Sequence, residues 1–74
     1  MEWLAARRFV TELSPGARRD LLRILTSSSE VRADVIRQFD ERGKVEMTDV
    51  LIALEEWDWA RQWMIEELER LSHA

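Results

Sequence analysis

Apolar residues recur along this chain at intervals of three and four, which is the spacing of α-helices that bury one side. No segment alternates apolar and polar residues for long enough to predict a strand. Turn-forming residues interrupt the pattern at 14–16, 26–29 and 43–44. The pattern therefore predicts an all-α fold. We expect a compact bundle of four to five short helices, over about residues 3–13, 15–26, 29–42, 48–57 and 58–72, with no sheet.

Capping residues predict where several of these helices begin. Ser14 followed by Pro15 is typical of a helix start, because the serine oxygen accepts a free N–H and proline has none to lose. Ser27 and Glu30 have the spacing of a capping box, which predicts the start of the third helix. Thr48 is predicted to cap the fourth helix.

Each of the first three predicted helices has an apolar side, which we expect to face the core. The residues of these sides are Trp3, Ala6, Phe9, Val10 and Leu13, then Ala17, Leu21, Ile24 and Leu25, then Val31, Val35, Ile36 and Phe39.

The segment after Thr48 allows two interpretations. As one helix it would be apolar on two opposite sides, with Ile52, Trp59 and Trp63 facing away from the core as an exposed patch. If the chain breaks near Asp58, that residue caps a fifth helix and both Trp side chains join the core. We favour the break, although no Gly or Pro marks it, because an unbroken helix rising about 1.5 Å per residue would extend past its neighbours.

Four Trp and an apolar content of 46% suffice for one core, so the 74 residues predict a single domain. We expect most of the cluster formed by Trp57, Trp59 and Trp63 to fill this core, with Trp59 near its edge. An exposed binding patch is the alternative.

Cysteine is absent, which excludes disulfides and thiolate metal sites and fits a cytoplasmic protein. No apolar run approaches the roughly 20 residues of a membrane span, and charged residues interrupt any signal peptide near the N-terminus. We therefore expect no membrane association.

Charge is distributed unevenly. Residues 1–28 contain five Arg and three acids, whereas residues 45–74 contain two Arg and eight acids. Such a chain can attract copies of itself or a charged partner, although ordinary solvated charge is the alternative. The predicted contact residues of the two charged regions are Arg18, Arg19 and Arg23 on the second helix, and Glu55, Glu56, Glu66 and Glu67 near the C-terminus.

No arrangement of residues predicts catalysis. Neighbouring carboxylates on a helix point apart, so the acids at 55–58 and 66–69 are expected to form a solvated acidic face rather than an acid–base pair. His73 is the only histidine, and with Glu69 it would make a poor metal site. We expect no enzyme activity, no cofactor and no metal.

The sequence therefore favours a protein–protein interaction module, such as an adaptor, a regulatory subunit, a small inhibitor or a self-assembling helical domain. Its partner is expected to be another protein or a second copy, which makes a homo-oligomer possible. The alternative is a helix-turn-helix nucleic-acid-binding domain that uses the arginines of helices 2 and 3. An isoelectric point of about 4.9 and the acids of helix 3 make nucleic-acid binding unlikely.

Overall fold

Five α-helices account for nearly all of the computed structural model, which describes residues 3–73 except the side chain of Trp3. The helices are α1 (Trp3–Glu12), α2 (Pro15–Leu25), α3 (Ser29–Glu41), α4 (Val45–Glu56) and α5 (Asp58–Ser72). Helices make up 86% of the described residues, and no strand occurs among them. The predicted all-α bundle of four to five short helices is confirmed.

The starts of α2 and α3 both depend on a serine. The Ser14 hydroxyl oxygen accepts a backbone N–H from the first turn of α2 at 3.1 Å, as predicted. At α3 the cap is Ser28, which accepts from the Val31 N–H at 3.3 Å. The prediction of Ser27 as the cap is wrong by one residue, because the Ser27 hydroxyl donates instead to the Arg23 carbonyl at the end of α2.

Helix α4 begins three residues earlier than predicted, at Val45. Thr48 lies inside the helix, is buried, and donates its hydroxyl to the Lys44 carbonyl at 2.8 Å. The prediction of Thr48 as a cap is therefore wrong, because its hydroxyl is satisfied by the carbonyl four residues earlier. The turn from α3 into α4 uses Gly43, whose φ of 72° favours glycine.

The predicted break before the last helix is confirmed. Helix α4 ends at Glu56, Trp57 is extended with φ −139° and ψ 120°, and α5 begins at Asp58. Trp57 rather than Asp58 occupies the capping position, and no side chain caps the helix. Asp58 instead lies in the first turn, where a carboxylate is favoured by the helix dipole.

Four of the helices form a closed ring of neighbours, because α2 packs against α3 and α5, and α4 packs against the same two helices. Helix α1 adds Ala6 and Val10 to the core inside this ring. The other buried apolar residues are Leu21, Leu25, Val50, Leu51, Leu54, Ala60, Met64 and Leu68.

The predicted apolar sides agree with this core in α1 and α2, apart from Trp3, whose side chain lies outside the described residues. Helix α3 lies at the edge of the core. Val35, Ile36 and Phe39 are half-buried there, whereas Val31 is exposed. The expected burial of Val31 is wrong, since it lies in the first turn of a helix that contributes no fully buried residue.

The position of the α3 cap can be tested by substitution. We expect Ser28→Ala to lower the free energy of unfolding by about 1 kcal/mol, because it removes the oxygen that accepts the Val31 N–H. Ser27→Ala is the matched control, and we expect a smaller effect. Urea unfolding measures both values, and a larger loss in Ser27→Ala would contradict the assignment.

Candidate interaction surfaces

Two tryptophans stand on the outside of the molecule where α4 meets α5. Trp57 is 58% exposed and Trp59 is 57% exposed. The Asp58 side chain between them is 93% exposed and forms an ion pair with Arg61 at 3.3 Å. Glu56 is exposed and forms no ion pair with a described residue. We call Glu56, Trp57, Asp58 and Trp59 the acidic–aromatic corner.

Further apolar surface lies close to this corner. Ile52, one turn before Glu56 on α4, is 45% exposed, and Val31 at the start of α3 is 48% exposed. A short loop joins α3 to α4, and Arg32 near the start of α3 pairs with Glu55 near the end of α4. The two helices are therefore antiparallel, and Val31 lies at the same end of the pair as the corner.

Trp63 and Trp59 lie in different environments, although the sequence predicts that both contact the core. Trp63 is half-buried against the core, with the Arg7 guanidinium 5.7 Å from its ring centroid. On α5, each of the two tryptophans is followed directly by a buried residue. Because successive residues of a helix are turned by about 100°, both indoles point away from the most buried side of α5. Arg7 of α1 covers Trp63, whereas Trp59 lies one turn nearer the start of α5. The expectation that most of the cluster is buried is therefore wrong for Trp57 and Trp59.

The carboxylates predicted to form one acidic face lie in three different environments. Glu56 and Glu66 are exposed, and the Glu55 side chain is partly covered and paired with Arg32. Glu67 is buried between helices, where it accepts a hydrogen bond from Arg70 and lies 3.8 Å from Arg7. Glu67 therefore connects α1 to α5 and is not part of a solvated face. The Arg70 three residues later was the sequence signal for this pairing.

Burial and charge act in opposite directions on Glu67. The hydrogen bond from Arg70 holds the pKa of the Glu67 carboxyl below its usual value, against the effect of burial, and the positive charges of Arg70 and Arg7 add to the lowering. The same hydrogen bond raises the pKa of Arg70. Glu67 is therefore held in its ionised form at neutral pH.

The arginines of α2 remain available, unlike most others. Arg18, Arg19 and Arg23 form no ion pair with a described residue, and Arg19 and Arg23 are exposed. Arg18 is half-buried, and its Nε is covered without a hydrogen-bond acceptor. A groove of about 610 Å³ lies between the start of α2 and the end of α5. We call it the arginine groove, and its lining residues are Pro15, Arg18, Arg19, Leu71 and Ser72.

Both arginines inside α3 are paired within the chain. Arg32 contacts Glu55 and donates to the Ser27 carbonyl at 2.6 Å. Arg37 contacts Asp34 and Glu41 on its own helix, and the hydrogen bond from Arg37 holds the pKa of Asp34 below its usual value. Each of these guanidinium groups would have to give up a carboxylate partner before it could bind a phosphate.

Ion pairing within the chain leaves several acids of α4 and α5 without a partner among the described residues, including Glu69 in the last turn of α5. Arg61 and Arg70 are the arginines of α5, and both pair with acids of their own helix. The acids of α4 and α5 that form no ion pair with a described residue are Glu46, Asp49, Glu56, Glu66 and Glu69. The acidic–aromatic corner begins α5 and the arginine groove ends it, so about 20 Å of helix separates them at 1.5 Å per residue.

Within residues 3–73, no three His, Asp or Glu side chains come together as possible metal ligands. Over the same residues, no helix combines the length and the apolarity that crossing a membrane requires. Comparisons of the chain with protein-family models, with curated proteins and with solved structures return no match.

Trp63 and Trp59 should differ in what they contribute to stability. We expect Trp63→Ala to lower the free energy of unfolding by about 3 kcal/mol, because it empties part of the core and removes the ring under Arg7. Trp59→Ala should cost clearly less, since more than half of that side chain is in water. Urea unfolding of the two variants measures the difference, and equal losses would contradict this assignment.

The ion pairs of Glu67 should make stability depend on pH. A carboxyl whose folded pKa is lowered stabilises the fold above its unfolded pKa of about 4.3, and this contribution is lost as pH falls through the folded pKa. We therefore expect Glu67→Gln to be less stable at pH 7 and to lose less stability between pH 7 and pH 3. The matched control is Glu66→Gln, an exposed neighbour without an ion pair, and unfolding by urea at both pH values is the measurement. An unchanged pH dependence in Glu67→Gln would contradict the role of this pairing.

Proposed function

We propose that this protein is a non-catalytic protein–protein interaction module, of the adaptor, regulatory or self-assembling kind, that binds its partner through the acidic–aromatic corner. The observation that carries the proposal is the exposure of Trp57 and Trp59, each more than half in water at the junction of two helices. Tryptophan is enriched among the residues that dominate binding energy at protein interfaces.

The fold has no evident need for an indole at position 57. An extended residue with φ −139° and ψ 120° can be almost any amino acid, and a small polar side chain would suit an exposed break between helices. Large apolar surface exposed to water is unfavourable, and contiguous patches of it are typical of interaction sites. Burial by a partner is therefore the best physical explanation for Trp57 and Trp59 together.

The charges around the indoles indicate the chemistry of the partner. Glu56 and Asp58 are exposed on either side of Trp57; Asp58 pairs with Arg61, and Glu56 forms no ion pair with a described residue. Carboxylates at the rim of an interface favour encounter with a basic surface and act mainly on the association rate. The partner surface is therefore basic, with an apolar centre that receives the indoles.

Nucleic-acid binding through α2 and α3 is the less favoured function. The arginines of α2 form no ion pair with a described residue, but on α3 a phosphate would have to displace Glu55 from Arg32, or Asp34 and Glu41 from Arg37. Phosphate contacts supply most of the affinity in such complexes, so paired arginines weaken this alternative. A salt-sensitive gel shift with duplex DNA or RNA would support it against our proposal.

The corner can be tested with a variant that keeps the core. The experiment captures proteins on the tagged chain in its source cells, identifies a partner, and measures its affinity with purified components. We expect Trp57→Ser with Trp59→Ser to weaken binding at least about 30-fold, since a hot-spot residue contributes about 2 kcal/mol or more. The circular dichroism spectrum should stay helical.

Val45→Ser is the matched control, because Val45 is also an exposed apolar residue but lies at the opposite end of α4. It should bind as the parent does. A corner variant that retains full affinity, or a control that loses as much, would overturn the proposed surface.

A further inference from the structure

We propose that the acidic–aromatic corner of one copy binds the arginine groove of a second copy, so that the chain associates with itself head-to-tail. This proposal rests on the proposed function and names its partner. In this arrangement each surface binds the other surface of a neighbouring copy, and charge complementarity is the first reason to expect it.

The two surfaces carry exposed charges of opposite sign, of which Asp58 pairs with Arg61 within the chain. The groove is lined by Arg18 and Arg19, and Arg23 lies one turn further along α2. The acids on the two helices there are Asp20 of α2 and Glu69 in the last turn of α5. The corner side has Glu56, which forms no ion pair with a described residue, and Asp58, whose side chain is 93% exposed. Arginine binds carboxylates through a planar fork of donors, so each surface supplies what the other lacks.

The apolar parts of the two surfaces also match. Pro15 and Leu71 give the groove an apolar wall beside its arginines. Its volume of about 610 Å³ lies within the range of about 300–1,000 Å³ that holds compact organic ligands, so an indole has room to enter. An indole in the groove can make a cation–π contact with an arginine, as Trp63 does with Arg7 within one copy.

Arg18 gives the groove an unsatisfied donor. Its Nε is covered and has no acceptor among the described residues. A buried donor without an acceptor is unfavourable, and a carboxylate that enters the groove can relieve it directly or by drawing the guanidinium outward. Glu56 and Asp58 of a neighbouring copy would bring such carboxylates together with the indoles.

Symmetric pairing of either surface with itself is disfavoured. Corner against corner would place Glu56 and Asp58 of two copies together, and groove against groove would do the same with the arginines. Like charges brought together at an interface repel each other, whereas corner against groove pairs opposite charges. Because the surfaces lie at opposite ends of α5, each copy can bind two neighbours, and the assembly grows as a chain or closes as a ring.

The test uses two variants that each remove one surface. The corner variant carries Glu56→Gln with Trp57→Ser, and the groove variant carries Arg19→Glu with Arg23→Glu. All four side chains are exposed, so the fold should survive, which circular dichroism checks. The control for the corner is Leu4→Ser with Glu12→Gln on α1, and the control for the groove is Arg42→Glu with Lys44→Glu at the α3–α4 turn. Both controls change exposed residues of the same kinds.

Light scattering after size exclusion measures the mass at two protein concentrations and two salt concentrations. For the parent and both controls, we expect a mass that rises with concentration to about three or more times the 8.8 kDa of one copy. The mass should fall at high salt, because exposed charges are screened within about 8 Å at 0.15 M salt and more strongly above that. Each surface variant alone should remain a monomer.

An equimolar mixture of the two surface variants is the decisive sample. The corner variant keeps an intact groove and the groove variant keeps an intact corner, so the mixture should form a 1:1 dimer that grows no further. A parent dimer that neither variant disrupts, or a mixture that stays monomeric while the parent assembles, would overturn the head-to-tail contact.

The outcome also separates this proposal from the proposed function. A parent that is monomeric under all conditions, but whose captured partner is lost on substitution of Trp57 and Trp59, would overturn self-association and retain the interaction function. A monomeric parent whose corner variant still binds every captured partner would overturn both.

Discussion

The break at Trp57 is the constraint on which the rest of this structure depends. As one helix, the last third of the chain would turn apolar residues to two opposite sides, and only one of these could reach the core. A single extended residue separates α4 from α5, so that Leu54 and Met64 are both fully buried in the same core. Helix α5 then packs against both α4 and α2 and closes the ring of four helices. Trp57, the residue at the break, lies outside this ring of helices, and its side chain is an indole.

Ion pairing then divides the charges of the chain into two groups. Contacts between helices use Arg7 with Glu67 and Arg32 with Glu55, which join α1 to α5 and α3 to α4. Pairs within α3 and α5 use Arg37, Arg61 and Arg70. The arginines of α2 are outside these pairings, as are several acids of α4 and α5. Each ion pair neutralises one cation and one acid, so the charges that remain unpaired among the described residues include the arginines of α2 and five acids of α4 and α5.

Both proposed interaction surfaces include an end of α5, together with the end of α4 at the corner and the start of α2 at the groove. The acidic–aromatic corner lies at the start of α5 and the arginine groove at its end, so the helix sets their separation and their relative orientation. Because their separation and orientation are fixed, each copy would be placed in the same way relative to the next. Two surfaces on flexible loops would not do this. The proposed binding through these surfaces needs no reactive group. It uses the residues that distinguish this chain, which are tryptophans, arginines and carboxylates.

The sequence by itself determined the helical class and the cap at Ser14, because period and local hydrogen bonding are properties of neighbouring residues. It favoured a break before the last helix but left one continuous helix open. It also indicated the exposure of Arg19 and Glu56. Only the tertiary structure decided that Trp63 packs on the core while Trp59 remains at the surface, and that Glu67 is buried between two arginines. Periodicity places a side chain around its own helix axis, but burial depends on which distant segment covers it. That segment is brought there by the whole fold, through contacts between residues far apart in the chain.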